Sequence, residues 1–375
     1  MEVFTSYHNI ISPLGFTTKE NYSALLNNQL GVKPHRLGKL NEEFCLSVID
    51  EQQLNSASEK IGDAFLFTKL EKLSILSVRD VLEQSGISLS DPKTLLIYST
   101  TKGNIDLLDT SVKQNIPADR AYLSVMVNTI ANYFKATNKP LVVSNACISG
   151  LLAIITAQRL IKAGQYDNII VCGGDLVTEF TTSGFKSFNA LSQEPCKPFD
   201  AKRVGINLGE AVSTILITKN KLAPTSMQIV NGASANDANH ISGPSRTGDG
   251  LFKAVQQTLE GNKIKIDTIS AHGTATPYND EMESIAFERA GLTNVPVNSL
   301  KGYYGHTLGA AGVLETVLSL EAANQNQLIK SAGYSEKGVS GTVEIIKEHT
   351  RKEIKAFLKT ASGFGGCNGA ALFVK

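Results

Sequence analysis

Residues 140–174 constrain the fold more than any other stretch of this 375-residue chain, because they indicate a strand, a sharp turn, a helix and a second strand in succession. Short apolar runs at 141–143 and 169–172 predict two strands, each buried on both faces of a sheet. The strongly apolar segment 151–162 predicts the connecting helix, which Gly164 ends. The stretch therefore predicts one β-α-β unit.

Cys147 stands at the turn of this unit, among small residues. The positive end of a helix dipole favours thiolate over thiol, and tight strand-to-helix turns carry serine nucleophiles in other enzymes. A small buried packing cysteine is the alternative. This stretch alone does not decide between the two.

Composition excludes several classes of function. The chain has 36 basic and 35 acidic residues, a formal net charge of +1 and no long run of either sign, which argues against a nucleic-acid platform or a polybasic membrane patch. The five cysteines are widely spaced without metal-ligand spacing, as in a reducing compartment. With no signal peptide and no apolar stretch of membrane-spanning length, we expect a soluble, cytoplasmic protein.

Strand and helix patterns alternate through the whole chain, which predicts layered α/β architecture with central sheets. The length exceeds the usual size of one domain, and we place a boundary between halves 1–218 and 219–375. Residues 56–84 are mostly helical by period. The small, polar and aromatic segment 178–193 predicts a loop that lines a cleft.

Two of the six histidines, His272 and His306, each follow a predicted buried strand in a loop rich in small residues. Ligand sites gather at the carboxyl ends of strands in open α/β sheets, where Cys147 also lies. Two donors aimed at one oxygen would stabilise an enolate or polarise a carbonyl. A cysteine hydrolase is an alternative. We predict no metal, because Cys147 lies more than a hundred residues from either histidine and no local ligand pair exists.

Six motifs then occur in a distinctive order, and together they resemble the decarboxylating β-ketoacyl-acyl-carrier-protein synthases of the thiolase superfamily, in the elongating Cys-His-His branch. The related initiating synthases carry Asn where this chain has His306. The resemblance implies a thiolase-like α/β fold, with two pseudo-duplicated α/β halves in a layered αβαβα arrangement. The motifs are SNACISG around Cys147, PFDAKRVGINLGE, DANHISGP from Asp237, AHGTATPYNDEMES around His272, LKGYYGHTLGAAG around His306 and SGFGGCNGA from Ser362.

The resemblance implies a ping-pong Claisen condensation. Cys147 would accept an acyl chain, and the backbone amides of Cys147 and Phe364 would form the oxyanion hole. His272 and His306 would polarise a malonyl thioester carbonyl, promote loss of carbon dioxide and stabilise the resulting enolate.

The same resemblance implies supporting residues. Lys301 corresponds to the active-site lysine of the family, and Glu283 to the acidic residue that holds it. Glu315 matches a buried structural glutamate. His240 is interpreted as structural or as part of the channel rim.

Substrate contacts are also implied. Thr274 and Thr276 match positions that hydrogen-bond the phosphopantetheine arm, Phe364 matches a gate at the acyl pocket, and Gly365 is expected to contact substrate. The segment 104–139 is short for the family, and we expect it to influence chain length.

The implied reaction needs no cofactor, since the substrates are carried on the phosphopantetheine of an acyl carrier protein. The expected partners are this carrier protein and a second copy of the chain, with a heterodimer that includes a synthase-like subunit as an alternative. We expect no nucleic acid and no membrane span. The expected pathway is fatty-acid or polyketide and polyene biosynthesis. A non-catalytic, chain-length-determining partner subunit and a cysteine acyl hydrolase are the competing functions.

Overall fold

The computed structural model describes residues 1–38, 40, 42–109, 116–237 and 243–375. His240 and part of the segment 104–139 therefore lie outside the described residues. The strands are β1 Phe4–Ile11, β2 Lys33–Leu37, β3 Glu42–Ser47, β4 Thr94–Ser99, β5 Leu141–Val143, β6 Asn168–Asp175, β7 Leu208–Gly209, β8 Ala211–Thr218, β9 Gln228–Asn236, β10 Thr268–Ser270, β11 Pro296–Asn298, β12 Gln327–Leu328, β13 Glu344–Ile345, β14 Thr350–Arg351, β15 Ala356–Gly363 and β16 Cys367–Val374. The α-helices are α1 Thr18–Leu26, α2 Glu51–Ser58, α3 Lys69–Ser85, α4 Leu123–Tyr133, α5 Ser149–Lys162, α6 Glu179–Ser187, α7 Asp249–Leu259, α8 Pro277–Arg289, α9 Lys301–Tyr304 and α10 Ala311–Asn324.

The large sheet consists of two halves with the same strand order. One half runs β1-β8-β6-β4-β5, and the other runs β9-β16-β15-β10-β11 with β13 added beyond β11. In the first half β4 is parallel to β5 and β6, while β8 is antiparallel to β6 and β1. In the second half β10 is parallel to β11 and β15, while β16 is antiparallel to β15 and β9. The repeated order confirms a pseudo-duplicated α/β fold, in which β5 corresponds to β11.

The helices form three layers around the two half-sheets. Helices α5 and α10 lie between the half-sheets, and their buried apolar residues join those of both in one core, for example Ile154, Val317, Ile215 and Phe357. Helices α3 and α4 cover the outer face of the first half-sheet. Helices α7 and α8 cover the outer face of the second. The result is the expected αβαβα layering.

The two central helices meet at glycines. A Cβ atom on Gly150 would lie 2.8 Å from the backbone nitrogen of Val313, and one on Gly312 would collide with the backbone nitrogen of Leu151. Only glycine permits this close approach of two helix backbones. Because α5 follows Cys147 and α10 follows the loop of His306, the contact also fixes these two side chains relative to each other.

The strand before Cys147 differs from the prediction of a strand buried on both faces. Strand β5 is the edge of its half-sheet, pairing with β4 alone in the part of the chain that the structure describes, and Leu141 is 41% exposed. An apolar run does not distinguish a central strand from an edge strand that packs against a further surface.

The prediction that residues 56–84 are mostly helical is confirmed, although the segment is divided between the end of α2 and α3. Helix α3 begins with a capping box in which the Thr68 side chain and Glu71 bond each other's backbone N–H groups. The segment 178–193 contains helix α6 rather than a loop alone, because Thr178 caps it in the same way. No helix within the described ranges is long and apolar enough to cross a membrane.

Candidate active site

Cys147 lies at a tight elbow between β5 and α5, and only 8% of it is exposed. The hydroxyl of Ser149 closes the elbow, since it accepts from the backbone N–H of Asn145 at 2.8 Å and donates to the carbonyl of Ala146 at 2.6 Å. Ala146 has a φ of +43°, a left-handed conformation that is strained for a residue with a Cβ. The strained turn presents the sulfur to a cavity.

The thiol of Cys147 is not activated in the resting site. Burial raises its pKa to about 12, and this outweighs the nearby charge of Lys301 and the backbone N–H of Phe364, which both favour thiolate. In the resting site, burial therefore opposes the thiolate that the helix dipole favours. The sulfur waits as a neutral thiol, and the N–H of Phe364 already points at it.

His272 follows β10 and is held from two sides. Glu283 accepts the backbone N–H groups of His272 and Gly273 at 2.8 and 2.6 Å. The ammonium of Lys301 donates to the carbonyl of His272 at 2.6 Å and lies 3.3 Å from its Nδ1. An ammonium has no lone pair to offer, so Nδ1 is the acceptor and Nε2 carries the proton.

His306 is held mainly by backbone groups. Its N–H donates to the carbonyl of Asn207 at 2.7 Å, and its Nδ1 accepts the N–H of Leu308 at 3.3 Å. Its Nε2 is buried and has no hydrogen-bond partner among the described residues. The proton is again on Nε2, and this donor is free for a substrate.

The two imidazoles form an edge-to-face pair with ring centroids 5.2 Å apart and planes at 84°. Burial first, and then the charge of Lys301, holds the pKa of both histidines well below the ordinary value. Both are uncharged at neutral pH. The sulfur of Cys147 and one ring nitrogen of each histidine lie within 4.8 Å of one another.

This proximity overturns the sequence argument against a metal, which relied on the separation of Cys147 from the histidines. Cysteine and histidine are zinc ligands, and the fold brings the three together. A different observation argues against zinc. A zinc-bound Nε2 requires an Nδ1–H that donates to an acceptor, whereas both Nδ1 atoms here face donors, Lys301 and the N–H of Leu308. The two imidazoles are arranged to donate hydrogen bonds through Nε2–H.

A buried charge cluster lies behind His272. Lys301 and Lys359 each lie 2.7 Å from one carboxylate oxygen of Glu315, and both lysine side chains are 0% exposed. Although burial alone would raise the pKa of Glu315, the two lysines hold it below the ordinary value. The prediction that Glu283 holds Lys301 is therefore wrong: Glu315 does so.

Two carboxylates on α8 clamp the loop after His272 instead. Glu283 binds the loop as described above, and burial, followed by the neighbouring charge of Asp280, raises its pKa to about 7. Asp280 accepts the N–H of Thr274 at 2.8 Å and that of Phe199 at 2.7 Å. These bonds fix the loop without touching the cavity.

The cavity has a volume of about 560 Å³, and most of the predicted site residues line it. Lys301 and Glu283 stand behind this lining. Gly365 is also absent from it, since this glycine is exposed at the outside of its turn with a φ of +85°. Its contact with substrate stays a prediction. The predicted residues in the lining are Cys147, His272, His306, Phe364, Thr274 and Thr276.

Aromatic side chains form one wall of the cavity. Phe364 stacks on Phe185 with centroids 5.7 Å apart, and Phe188 lies 5.4 Å from it at a tilt. Both partners come from α6 or its end, so the segment 178–193 does line the cleft. Phe364 itself is 37% exposed, as a residue at a mouth would be.

Sequence reasoning missed Lys359, Asp280 and Asp175. Asp175 ends β6 and accepts the N–H groups of Gly309 and Thr101, at 2.7 and 2.8 Å, and thereby ties the loop after His306 to the other half of the molecule. A lysine inside the otherwise uncharged strand AFLKTASG was the available signal for Lys359. Asp280 carries no signal beyond its place in the motif around His272, and Asp175 lies outside all six motifs.

Comparison with known proteins gives a consistent result. Residues 50–223 match the family model "Beta-ketoacyl synthase, N-terminal domain" and residues 227–335 match "Beta-ketoacyl synthase, C-terminal domain". Together the two matches cover about three quarters of the chain.

Individual relatives extend over most of the chain. The 3-oxoacyl-[acyl-carrier-protein] synthase 2 of Coxiella burnetii is 26% identical over 96% of this chain and 95% of its own length. The tetracenomycin polyketide synthase ketoacyl synthase alpha subunit of Streptomyces glaucescens is 25% identical over 83% of this chain and 82% of its own. Among solved structures, a ketosynthase in complex with its chain length factor from Xenorhabdus doucetiae superimposes with a TM-score of 0.88 at 25% identity, covering 100% of this chain and 98% of the other.

Proposed function

This chain belongs to the β-ketoacyl synthase family, and we propose that it condenses an acyl chain held on Cys147 with malonyl-acyl carrier protein, in a decarboxylative Claisen reaction. The observation that carries the proposal is the convergence of one thiol and two neutral imidazoles on a single cavity, with the sulfur and one ring nitrogen of each histidine within 4.8 Å of one another. A nucleophile alone would serve hydrolysis. Two neutral donors beside it serve enolate formation.

The first half-reaction is acyl transfer. The sulfur of Cys147 attacks the thioester carbonyl of an acyl carrier protein, and the thiol proton leaves with the released pantetheine thiol. The backbone N–H of Phe364, which already faces the sulfur, and that of Cys147 stabilise the oxyanion. Because burial raises the pKa of the resting thiol, we expect its proton to leave during the attack.

The second half-reaction is decarboxylation and condensation. The malonyl carboxylate leaves as carbon dioxide, and its bonding electrons form the enolate of the remaining thioester. The Nε2–H groups of His272 and His306 donate to the enolate oxygen. The enolate carbon then attacks the acyl-Cys147 carbonyl, and collapse of the tetrahedral intermediate releases the Cys147 sulfur and the β-ketoacyl carrier protein.

The proposed reaction requires no resident cofactor, since the pantetheine arm of the carrier delivers both substrates. The hydroxyls of Thr274 and Thr276 lie 2.8 Å apart in the cavity lining and are suited to bind the amide groups of this arm. All five cysteines are free thiols, which suits the reducing conditions of the cytoplasm, where we place the reaction.

We further propose that the chain works as a dimer. Strand β5 has an unpaired edge among the described strands and an exposed Leu141, which is the type of edge that a second sheet completes. A second copy of this chain is our first choice of partner. The ketosynthase of Xenorhabdus doucetiae was solved with a chain length factor, so a synthase-like subunit is the alternative occupant.

Intact-mass spectrometry of the protein after incubation with acyl carrier proteins, loaded with primers of increasing length, tests the function. We expect an acyl adduct on the wild type and on Cys45→Ala, in which a buried cysteine away from the cavity is changed, but none on Cys147→Ala. Addition of malonyl carrier protein should convert the adduct into a β-ketoacyl carrier protein.

Two other outcomes would contradict the proposal. Release of free acid in place of the β-keto product would identify a cysteine hydrolase. Absence of an adduct with every carrier would identify a non-catalytic partner subunit. Cys147→Ala should retain malonyl decarboxylation, because both histidines remain.

A further inference from the structure

Lys359 is a buried cation that the reaction as described does not use. It lies within β15, and its side chain is 0% exposed. Its Nζ donates to the carbonyls of Thr360, Ser270 and Ala271, at 2.8, 3.2 and 3.3 Å, and it pairs with Glu315 at 2.7 Å. Every contact is with an acceptor, so the geometry fits an ammonium and would leave the lone pair of a neutral amine without a partner.

The position of these carbonyls matters. Ser270 is the last residue of β10 and Ala271 immediately precedes His272. The Nζ of Lys359 therefore ties β15 to the point where the backbone of β10 turns towards the imidazole. Lys301 binds the carbonyl of His272 itself, one residue farther along. The two lysines hold three consecutive carbonyls.

The charges around Lys359 do not balance. Glu315 on α10 is a single carboxylate between two ammonium groups, those of Lys359 and of Lys301 on α9. The other titratable groups coupled to this cluster are Glu283 on α8, the two histidines, and two buried thiols on which the charge of Lys301 acts, those of Cys147 and Cys196. Because burial raises the pKa of Glu283 to about 7, this carboxyl is only partly ionised near neutral pH. Burial lowers the pKa of Lys359, and the charge of Glu315 opposes this effect. Because the contacts of Lys359 are all with acceptors, they favour the ammonium, and with both lysines charged the cluster retains excess positive charge next to His272.

Excess positive charge in a water-excluded site has two effects. It opposes protonation of the neighbouring imidazoles, and both lysines indeed contribute to holding the pKa of His272 and His306 below the ordinary value, after burial. It also attracts negative charge that develops at the substrate oxygen. The first effect serves decarboxylation, which needs two neutral imidazoles as donors. Of the two lysines, Lys301 is the one whose charge favours the Cys147 thiolate, so loss of Lys359 should affect decarboxylation more than acyl transfer.

We propose that Lys359 is a positioning residue for His272, which fixes the end of β10 and places a second buried positive charge behind the histidine pair during decarboxylation. The proposal rests on the proposed function. It adds a residue that acts through His272 and not by contact with substrate.

The test compares Lys359→Met with Lys355→Met, a matched change of an exposed lysine immediately before the same strand. Single-turnover decarboxylation of malonyl carrier protein is measured from pH 5 to pH 9, and acylation of Cys147 is measured in parallel. We expect Lys359→Met to slow decarboxylation about tenfold at neutral pH, because the imidazole is misplaced. The acid limb of the pH–rate profile should move up by about one pH unit, since the imidazoles then protonate more easily. Acylation should change less than about twofold.

Lys359→Met is expected to fold, because Glu315 keeps Lys301 as its counter-ion and no uncompensated charge remains. Lys359→Gln, which keeps a donor without the charge, serves as the second variant. It should restore part of the rate but not the position of the acid limb. Nitrogen-15 spectra of the histidines, recorded against pH, report their protonation without any turnover.

Each failure has its own signature. If wild type neither takes an acyl group nor decarboxylates malonyl carrier protein, the proposed function is wrong. If wild type is active and Lys359→Met matches Lys355→Met in rate, acid limb and histidine spectra, the role of Lys359 is wrong. A variant that loses acylation and decarboxylation equally would indicate a merely structural lysine and would also overturn the proposal.

Discussion

The two histidines present the same atom to one cavity but are supported by different kinds of groups. Charged side chains surround His272, with Lys301 against its Nδ1 and carbonyl, and Glu283 on its backbone N–H. Backbone groups of Asn207 and Leu308 hold His306. In both arrangements Nδ1 accepts a hydrogen bond and Nε2 carries the proton.

The difference follows from the duplication. His306 lies in the loop between β11 and α10, where the other half carries Cys147 between β5 and α5, and Asp175 ties that loop to the first half. His272 follows β10 and depends on groups of the second half alone. The backbone groups that hold His306 do not titrate, so this support does not change with pH. A charged support also sets the electrostatic field, so the two histidines should respond differently when their supports are changed.

The largest effect is expected from removal of either imidazole. His272→Ala and His306→Ala should each lower the rate of malonyl decarboxylation about 100- to 1000-fold, because each removes one donor to the enolate oxygen. Decarboxylation of malonyl carrier protein, measured by release of carbon dioxide, checks this. His349→Ala, a histidine outside the cavity lining, is the control. Unchanged decarboxylation in His306→Ala would refute the two-donor mechanism.

The two supports should differ in what they contribute to stability. Glu315→Gln leaves two buried ammonium groups without a counter-ion, and we expect a loss of about 3–5 kcal/mol in the free energy of unfolding. Asp175→Asn removes an acceptor from backbone N–H groups and should lose about 1–3 kcal/mol.

Urea unfolding of both variants beside the wild type measures this difference. Glu321→Gln, a partly exposed carboxylate on the same helix as Glu315, is the control. Equal losses in the two support variants would show that the charge cluster has no special role.

The smallest effect is expected from pH. With the ordinary histidine pKa of 6.5, only about one molecule in a hundred would have both imidazoles neutral at pH 5.5, and the reaction would slow about a hundredfold. Because the pKa of both histidines is held well below that value, the neutral pair persists as pH falls, and we expect less than about a threefold loss between pH 7.5 and 5.5.

Single-turnover decarboxylation in buffers of constant ionic strength measures this profile. A hundredfold decline over that interval would show that burial and the two buried lysines do not hold the pKa of the histidines below the ordinary value.

Local patterns were enough to predict much of the fold and the principal reactive side chains. Apolar runs marked the strands at 94–99 and 211–218, and motif order identified Cys147, His272 and His306. These features depend on neighbours in sequence, through strand and helix periodicity and turn chemistry. The sequence therefore determined the α/β duplication and the family.

Tertiary structure decided the rest, because burial and charge pairing depend on which distant segments meet. The contact of α5 with α10 at Gly150 and Gly312 brings Cys147 to His306. The same packing pairs Lys301 with Glu315 instead of Glu283 and brings Lys359 to the same carboxylate. It also buries the thiol of Cys147, and this burial raises the pKa of the thiol to about 12. No local pattern encodes the desolvation of a side chain, which is set by everything that surrounds it once the halves have closed together.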